Sequence, residues 1–280
     1  MYQKPTAPRT IGGVLDDTIQ LFKAAFPSCW QPSLVMSLIT SALGYFVFQS
    51  IPALGTRVSP ALSPSEILNQ YRGMMGALGI WYLVVLVCGL VFYGMLIANT
   101  AAVSRGTTLS FGTSFAKALR RAPELFVASV VFFIVIVIGF ILLLIPGFYL
   151  WNRLQLFVVP LVDEARGPFA SLGASWRAVG GNWWRTAAVV FVIFVILVVL
   201  QMVLTMLAGI VGAIGAVGAA ASNPAALAGR IQLITLLVGS FVRIFTMPLI
   251  VAVYVALYQD LSLRKGGADL EARMGALPKG

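Results

Sequence analysis

Two arginines inside long apolar stretches are the residues of this 280-residue chain best suited to hold a ligand. Arg153 is the sixth residue after a Pro146-Gly147 pair, and Arg243 lies within an apolar run that contains no carboxylate. Charge is costly inside a bilayer, and a guanidinium placed there often marks a ligand site. With Asn152 beside Arg153, the pattern predicts contact with an anionic lipid headgroup or a phosphate-bearing substrate.

A structural role for these arginines stays open as the alternative. Each side chain can extend along its own stem to the interface, or donate to backbone carbonyls exposed near Pro146 or Pro248. Four amides in or beside the apolar runs are expected to form interhelical hydrogen bonds: Asn99, Asn152, Gln155 and Gln201.

The chain offers little for catalysis. It has no histidine, and Cys29 and Cys88 form no CxxC pair, so neither a zinc site nor histidine acid/base chemistry is predicted. Asp163 and Glu164 are adjacent carboxylates, which we expect to be solvated or paired with Arg166 or Arg177. No phosphate-binding loop, nucleophile elbow or metal-binding helix motif is present. We therefore predict no enzymatic activity, no metal and no cofactor.

Composition places the chain in a membrane. Its residues are 60% hydrophobic and 10% charged, whereas soluble domains are about 25% charged. The net charge of +10 is scattered between apolar runs, which argues against nucleic acid as a partner. Since the first apolar run begins only near Ser33, a cleaved leader is not expected, and residues 1–280 are interpreted as one membrane domain.

Six apolar stretches predict an all-α, polytopic membrane protein with six transmembrane helices. The fourth stretch is short, because its 15 residues supply about 22 Å of helix against a hydrocarbon core of about 30 Å. It is interpreted as a short span, with a re-entrant segment as the alternative. The six stretches are 33–54, 74–98, 125–145, 148–162, 187–212 and 231–258.

The distribution of cations favours six crossings. With both termini inside, 14 lysines and arginines lie on the inner side and 3 on the outer side. If the fourth stretch does not cross, the split becomes 8 to 9, against the positive-inside rule. We therefore expect cytoplasmic termini and a cytoplasmic tail over 259–280. Arg153 then lies in the outer half of the bilayer, with Tyr149 and Trp151 near the outer surface and Trp183 near the inner one.

Three amphipathic stretches precede the odd-numbered spans on the predicted inner side. They cover residues 9–26, 110–121 and 169–179, and their apolar residues recur with helical spacing. They predict three interfacial helices. Either they belong to a threefold repeat, or they are basic inner segments that contact anionic headgroups.

Glycines and a proline predict two further local features. Gly209, Gly212 and Gly215 recur every third residue, and close helix packing is favoured there over gating flexibility. Pro146-Gly147 is predicted to form the turn between the third and fourth stretches.

One segment resembles a known family. It begins with Ile145-Pro146-Gly147-Phe148-Tyr149-Leu150-Trp151-Asn152-Arg153 and continues to Ala174-Ser175-Trp176-Arg177 and Gly181-Asn182-Trp183-Trp184-Arg185. This segment and the opening around Arg9-Thr10-Ile11-Gly12-Gly13 resemble the YciC-like family of bacterial inner-membrane proteins. They also resemble the membrane region fused to some glycerophosphodiester phosphodiesterases. The resemblance implies six spans and a link to envelope integrity, but the chain lacks the histidine and acidic cluster that the hydrolase domain would need.

The leading functional hypothesis is a non-enzymatic inner-membrane protein that supports cell-envelope or lipid homeostasis by binding lipids or protein partners. The partners expected are membrane lipids, anionic ones among them, together with a second copy of the chain or other inner-membrane proteins. The rival hypothesis is a small transporter or lipid translocator for an anionic cargo. A closed helix bundle would favour the first hypothesis, and a polar cavity lined by Arg153 and Arg243 would favour the second.

Overall fold

The computed structural model describes residues 2–50, 63–217 and 224–275, and all regular structure in these ranges is helical. A single 3-10 turn, Gln155–Phe157, separates two of the helices. The α-helices are α1 Ile11–Ser50, α2 Pro64–Ser104, α3 Phe111–Leu142, α4 Leu144–Leu154, α5 Val158–Val162, α6 Pro168–Val179, α7 Trp183–Val217 and α8 Pro224–Gly275.

Four helical segments among the described residues are long and apolar enough to cross a membrane: Ser65–Ser104, Phe111–Leu142, Trp183–Leu207 and Leu236–Gly267. They contain the second predicted span whole, and the third, fifth and sixth apart from residues 143–145, 208–212 and 231–235. The first predicted span lies in α1, except for residues 51–54, which are outside the described residues. The fourth is divided among α4, the 3-10 turn and α5. The chain is thus an all-α membrane protein, while the count of six crossings stays a prediction.

The chain divides into two compact units. The first contains residues 1–33, 90–198 and 245–280, and the second contains residues 34–89 and 199–244. The first unit holds the main buried cluster, in which α2, α5 and α8 contribute fully buried side chains such as Leu96, Leu161 and Leu257.

The predicted interfacial stretches differ in their surroundings. Residues 11–26 and 111–121 are the first turns of α1 and α3, continuous with apolar helix, and only α6 is a separate helix. On α3, Phe111, Phe115 and Leu119 are exposed, as expected for a face that contacts lipid. On α6, the structure buries Ser171 and Ser175. The predicted tail at 259–275 continues α8.

The predicted turn at Pro146-Gly147 is wrong. The break falls at Leu143, whose backbone is extended (φ −170°, ψ 155°), and α4 begins at Leu144. Pro146 therefore lies in the first turn of α4, where a missing N–H costs no helical hydrogen bond. A side chain at Gly147 would overlap the ring of Phe140, so this glycine is required by close packing of α3 and α4.

Helices α3 and α4 form an antiparallel hairpin. Phe140 packs on Phe148, and Phe132 packs on Phe157 about two turns nearer the open end. The open end is closed by an ion pair between Arg105, before α3, and Asp163, after α5. The chain therefore enters and leaves this hairpin on the same side.

The prediction that Tyr149 and Trp183 lie near opposite membrane surfaces, which placed Arg153 in the half of the bilayer away from Trp183, is wrong. The ring of Tyr149 stacks on Trp183 with centroids 5.8 Å apart, and Asn152 Nδ2 donates to the carbonyl of Trp183 at 3.0 Å. Opposite interfaces would be separated by about 30 Å. Arg153 and Trp183 thus lie at the same end of the first unit.

Candidate functional site

Arg153 lies in an aromatic setting formed by α4 and α6. Its guanidinium carbon is 4.2 Å from the ring centroid of Trp176 and 5.3 Å from that of Tyr149. Tyr149 precedes Arg153 by one helical turn, which places both side chains on one face of α4. Such cation–π contacts fix the orientation of the guanidinium without neutralising its charge.

The charge of Arg153 has no carboxylate partner among the described residues. Its Nε is buried and without a hydrogen-bond partner in the same part of the chain. A buried donor in this condition is costly. The arrangement leaves this guanidinium able to donate to an anion.

A glycine pair makes room for the guanidinium. A Cβ at Gly180 would lie 3.1 Å from Arg153 Nη2, which is closer than most side-chain contacts. Gly181 has a φ of 79°, a left-handed conformation that glycine adopts without strain. This turn leads from α6 into α7 and brings Trp183 against α4.

Asn152 and Gln155 connect three helices by hydrogen bonds. Asn152 Nδ2 donates to the Trp183 carbonyl of α7, and Gln155 Nε2 donates to Asn152 Oδ1 at 2.9 Å. Tyr254 of α8 donates its hydroxyl hydrogen to Gln155 Oε1 at 3.3 Å. The prediction of bonds between helices is confirmed for Asn152 and Gln155, and also for Asn99, whose Nδ2 donates to the Ser28 carbonyl of α1. Gln201 instead donates to Thr205 within α7. The predicted ligand contact of Asn152 stays a prediction.

Arg153 lines a cavity of about 430 Å³. Gly181, Asn182 and Trp183 form one wall, and Arg185 adds a second cation. Trp183 also lines an apolar groove of about 510 Å³ between α4 and α7, whose walls include Phe148, Trp151, Phe191 and Phe194. A cationic cavity thus adjoins an apolar groove along a shared tryptophan.

A larger polar cavity of about 1020 Å³ lies on the other side of the Gly181-Asn182 turn. Charges of both signs line it, including Lys4, Glu164 and Lys265. Glu164 pairs with Arg166, as predicted.

A cluster around Asp260 holds the nearby cations. Asp260 is 4% exposed and accepts from the Arg9 backbone N–H at 2.8 Å, from Arg185 Nε at 3.1 Å and from Arg264 Nε at 3.0 Å. This cluster ties the segment before α1 to α7 and α8. No group of three His, Cys, Asp or Glu side chains within the described ranges is arranged to hold a metal ion.

Arg243 and Arg153 fall in different units. Arg243 is exposed, and its Nη1 donates to Thr40 Oγ1 at 3.4 Å. Nearby, the hydroxyls of Ser41 and Ser240 share a hydrogen bond of 2.6 Å. Arg243 thus donates to a hydroxyl group, whereas Arg153 lies over aromatic rings.

The predicted glycine packing site lies at the end of α7. A Cβ added at Gly209 would meet no atom of the described residues within 4 Å. The side-chain surroundings of Gly212 and Gly215 fall outside the described residues, so close packing there stays a prediction.

Sequence reasoning missed Trp176, Trp183 and Gly180 as parts of the site. Tyr149, four residues before Arg153 on the same face, could have been recognised from spacing alone. Nothing local in the sequence connects Trp176 to Arg153, because they meet only when α6 folds back along α4.

The helices and the exposed apolar residues define an integral membrane protein. Residues 82–257, more than half of the chain, match the model of a domain of unknown function, DUF7847, and the chain belongs to this family. It is also similar to a UPF0259 membrane protein of Photorhabdus laumondii subsp. laumondii, with 24% identity over 188 residues that cover 62% of this chain and 73% of the relative. No solved structure matches the chain. UPF0259 is the YciC family, which fits the resemblance seen in the sequence, whereas the link to phosphodiesterase-fused membrane regions stays a prediction.

Proposed function

We propose that this protein is a non-enzymatic factor of the bacterial inner membrane that binds an anionic lipid for envelope or lipid homeostasis. The supporting observation is the guanidinium of Arg153, held over Trp176 and without a carboxylate partner among the described residues. It lines a cavity that adjoins an apolar groove. A cation beside an apolar groove is complementary to an amphipathic anion.

The position of the site favours a lipid headgroup over a ligand in mid-bilayer. Trp183, Trp184 and Arg185 line the cavity with Arg153, and tryptophan and arginine are residues that anchor helices at the membrane interface. A phosphate at Arg153 would then lie at the level of the other headgroups. We take the charged end, where Arg9, Arg185 and Asp260 meet, to be cytoplasmic.

The same geometry supports a re-entrant hairpin. Leu144 is eight residues from Asn152, or about 12 Å of helix, and Asn152 bonds to the beginning of α7. Leu143 and Leu144 are each 69% exposed, as expected for a tip surrounded by lipid. With its 32 residues, α3 is also long enough to cross the bilayer, so the two arrangements to distinguish are a hairpin that returns before the far surface and one whose two arms cross. The predicted cation distribution is unchanged, because the hairpin begins and ends on one side in either arrangement.

Cysteine accessibility tests this hairpin. In a chain with Cys29 and Cys88 replaced by alanine, Ile145→Cys should resist a membrane-impermeant maleimide added from outside, and Ser65→Cys, in the predicted outer loop, should react. Equal labelling of the two positions would contradict the re-entrant arrangement and favour six crossings.

Native mass spectrometry of the full chain in mild detergent, with phosphatidylglycerol added, tests lipid binding. We expect Arg153→Gln to lower the lipid-bound fraction about tenfold, since a charged hydrogen bond contributes about 1.5–3 kcal/mol. Arg153→Lys should lose part of the binding, because an ammonium group lacks the planar fork that contacts phosphate and ring together. Arg243→Gln is the matched control, and unchanged binding in Arg153→Gln would refute the proposal.

The second candidate is a lipid translocator. It is favoured by three cavities that adjoin one another. The polar cavity and the cavity of Arg153 share Gly181 and Asn182, and the cavity of Arg153 and the apolar groove share Trp183. Transfer of a fluorescent anionic lipid between the leaflets of proteoliposomes would distinguish the candidates, because a binding factor leaves that rate unchanged.

A further inference from the structure

The apolar groove beside Arg153 continues along α7 away from the charged end. Its first part, of about 510 Å³, is lined from Trp183 to Phe194 of α7, with Phe148 and Trp151 of α4 opposite. Its second part, of about 130 Å³, reaches Leu197 and is bounded on the α8 side by Val253 and Tyr254. Trp151, Val190 and Phe194 line both parts, so the two form one groove.

The length of this groove fits a single acyl chain. Trp183 and Leu197 are 14 residues apart, or about 21 Å along the helix. One leaflet of the hydrocarbon core is about 15 Å thick, so the groove covers the full depth of one leaflet and a chain that begins at the interface can lie along it. The only amide in the wall is Asn152, which is already bonded to Trp183 and Gln155.

We propose that the groove holds one acyl chain of the anionic lipid whose phosphate contacts Arg153. This inference rests on the proposed function and specifies its ligand as a phosphate-bearing lipid with a long chain. Trp183 borders both the cationic cavity and the groove, at the junction of headgroup and chain.

The groove selects among lipids more than it strengthens binding. A chain that leaves the bilayer for the groove passes from one apolar environment to another, so no hydrophobic gain accompanies the transfer. The groove therefore discriminates between lipids by how well the acyl chain packs against its aromatic walls. Arg153 therefore governs whether an anionic lipid binds, and the groove governs which chain length is preferred.

Native mass spectrometry with two phosphatidylglycerols, one with eight-carbon chains and one with sixteen- to eighteen-carbon chains, tests this division. The wild-type full chain should prefer the long-chain lipid. Val190→Trp fills both parts of the groove and should reduce that preference about tenfold, as expected for overpacking, while the short-chain lipid still binds. Val192→Trp, two residues along the same helix and outside the groove lining, is the control.

A second variant guards against misfolding. Phe194 is 57% exposed, so Phe194→Trp should fold and narrow the groove in the same way. If both groove variants keep the preference of the control, the groove proposal is overturned. If Arg153→Gln binds both lipids normally while Val190→Trp still loses the preference, the headgroup assignment fails and the groove assignment stands.

Inorganic phosphate distinguishes a lipid from a soluble anion. We expect millimolar phosphate to displace the short-chain lipid more readily than the long-chain lipid from the wild-type protein. Equal displacement of the two lipids would show that the chain contributes nothing, and would overturn the proposal.

Discussion

The charged end of the first unit contains two regions that use arginine in opposite ways. Around Asp260, two arginine side chains and the Arg9 backbone N–H converge on one buried carboxylate. Around Arg153, aromatic rings hold the guanidinium and no carboxylate of the described residues pairs with it. The first arrangement satisfies its charges internally, and the second leaves a charge available. The comparison separates cations that hold the fold from a cation that can hold a ligand.

The largest expected effect concerns Asp260. Replacing it by asparagine leaves Arg185 and Arg264 without their carboxylate partner, so we expect the free energy of unfolding to fall by about 3 kcal/mol. Thermal unfolding in detergent measures this loss. Asp163→Asn is the control, because its partner Arg105 is 44% exposed, and exposed pairs contribute about 1 kcal/mol or less. If the two variants lose the same free energy of unfolding, the Asp260 cluster stabilises the fold no more than an exposed ion pair does.

An intermediate effect is expected at Trp176. Trp176→Leu removes the ring under Arg153 and should weaken phosphatidylglycerol binding by about threefold to tenfold, since a cation–π contact contributes about 0.5–2 kcal/mol. Native mass spectrometry measures the change. Trp30→Leu, at a tryptophan with similar exposure outside the site, should bind as the wild type does. If Trp176→Leu is less stable but binds phosphatidylglycerol as the wild type does, the ring of Trp176 stabilises the fold and does not contribute to lipid binding.

The smallest effect is expected at Asp17. Burial, followed by the nearby carboxylates of Asp16 and Asp260, raises the pKa of Asp17 above its usual value, although Arg9 opposes the shift. The folded state therefore binds this proton more tightly than the unfolded state, and stability decreases as pH rises through the folded pKa. Asp17→Asn should slightly raise the melting temperature at pH 7, and the gain should shrink towards pH 4. A lower melting temperature at pH 7 would show that the ion pair with Arg9 outweighs burial.

The apolar runs of α3, α7 and α8 were predictable because length and hydropathy alone place such segments in a bilayer. The break at Leu143 was not, because it lies in an unbroken row of leucine and isoleucine and follows from how Gly139 and Gly147 pack. Arg153 was recognised from its cost inside an apolar run, whereas its depth was misjudged. The count of cations assigns each loop to one side of the membrane but says nothing about depth within a hairpin. The level of Arg153 along its hairpin follows only from the contact of its neighbour Asn152 with Trp183.

The bond between Arg9 and Asp260 joins positions 251 residues apart. During synthesis the N-terminal segment is made first, and its partner Asp260 leaves the ribosome only after the segments of α1 to α7 have been made. The hydrogen bond from the Arg9 backbone can therefore form only once α8 has been made. A chain truncated before α8 would expose unpaired arginines at the membrane surface, where proteases could distinguish it from a finished molecule.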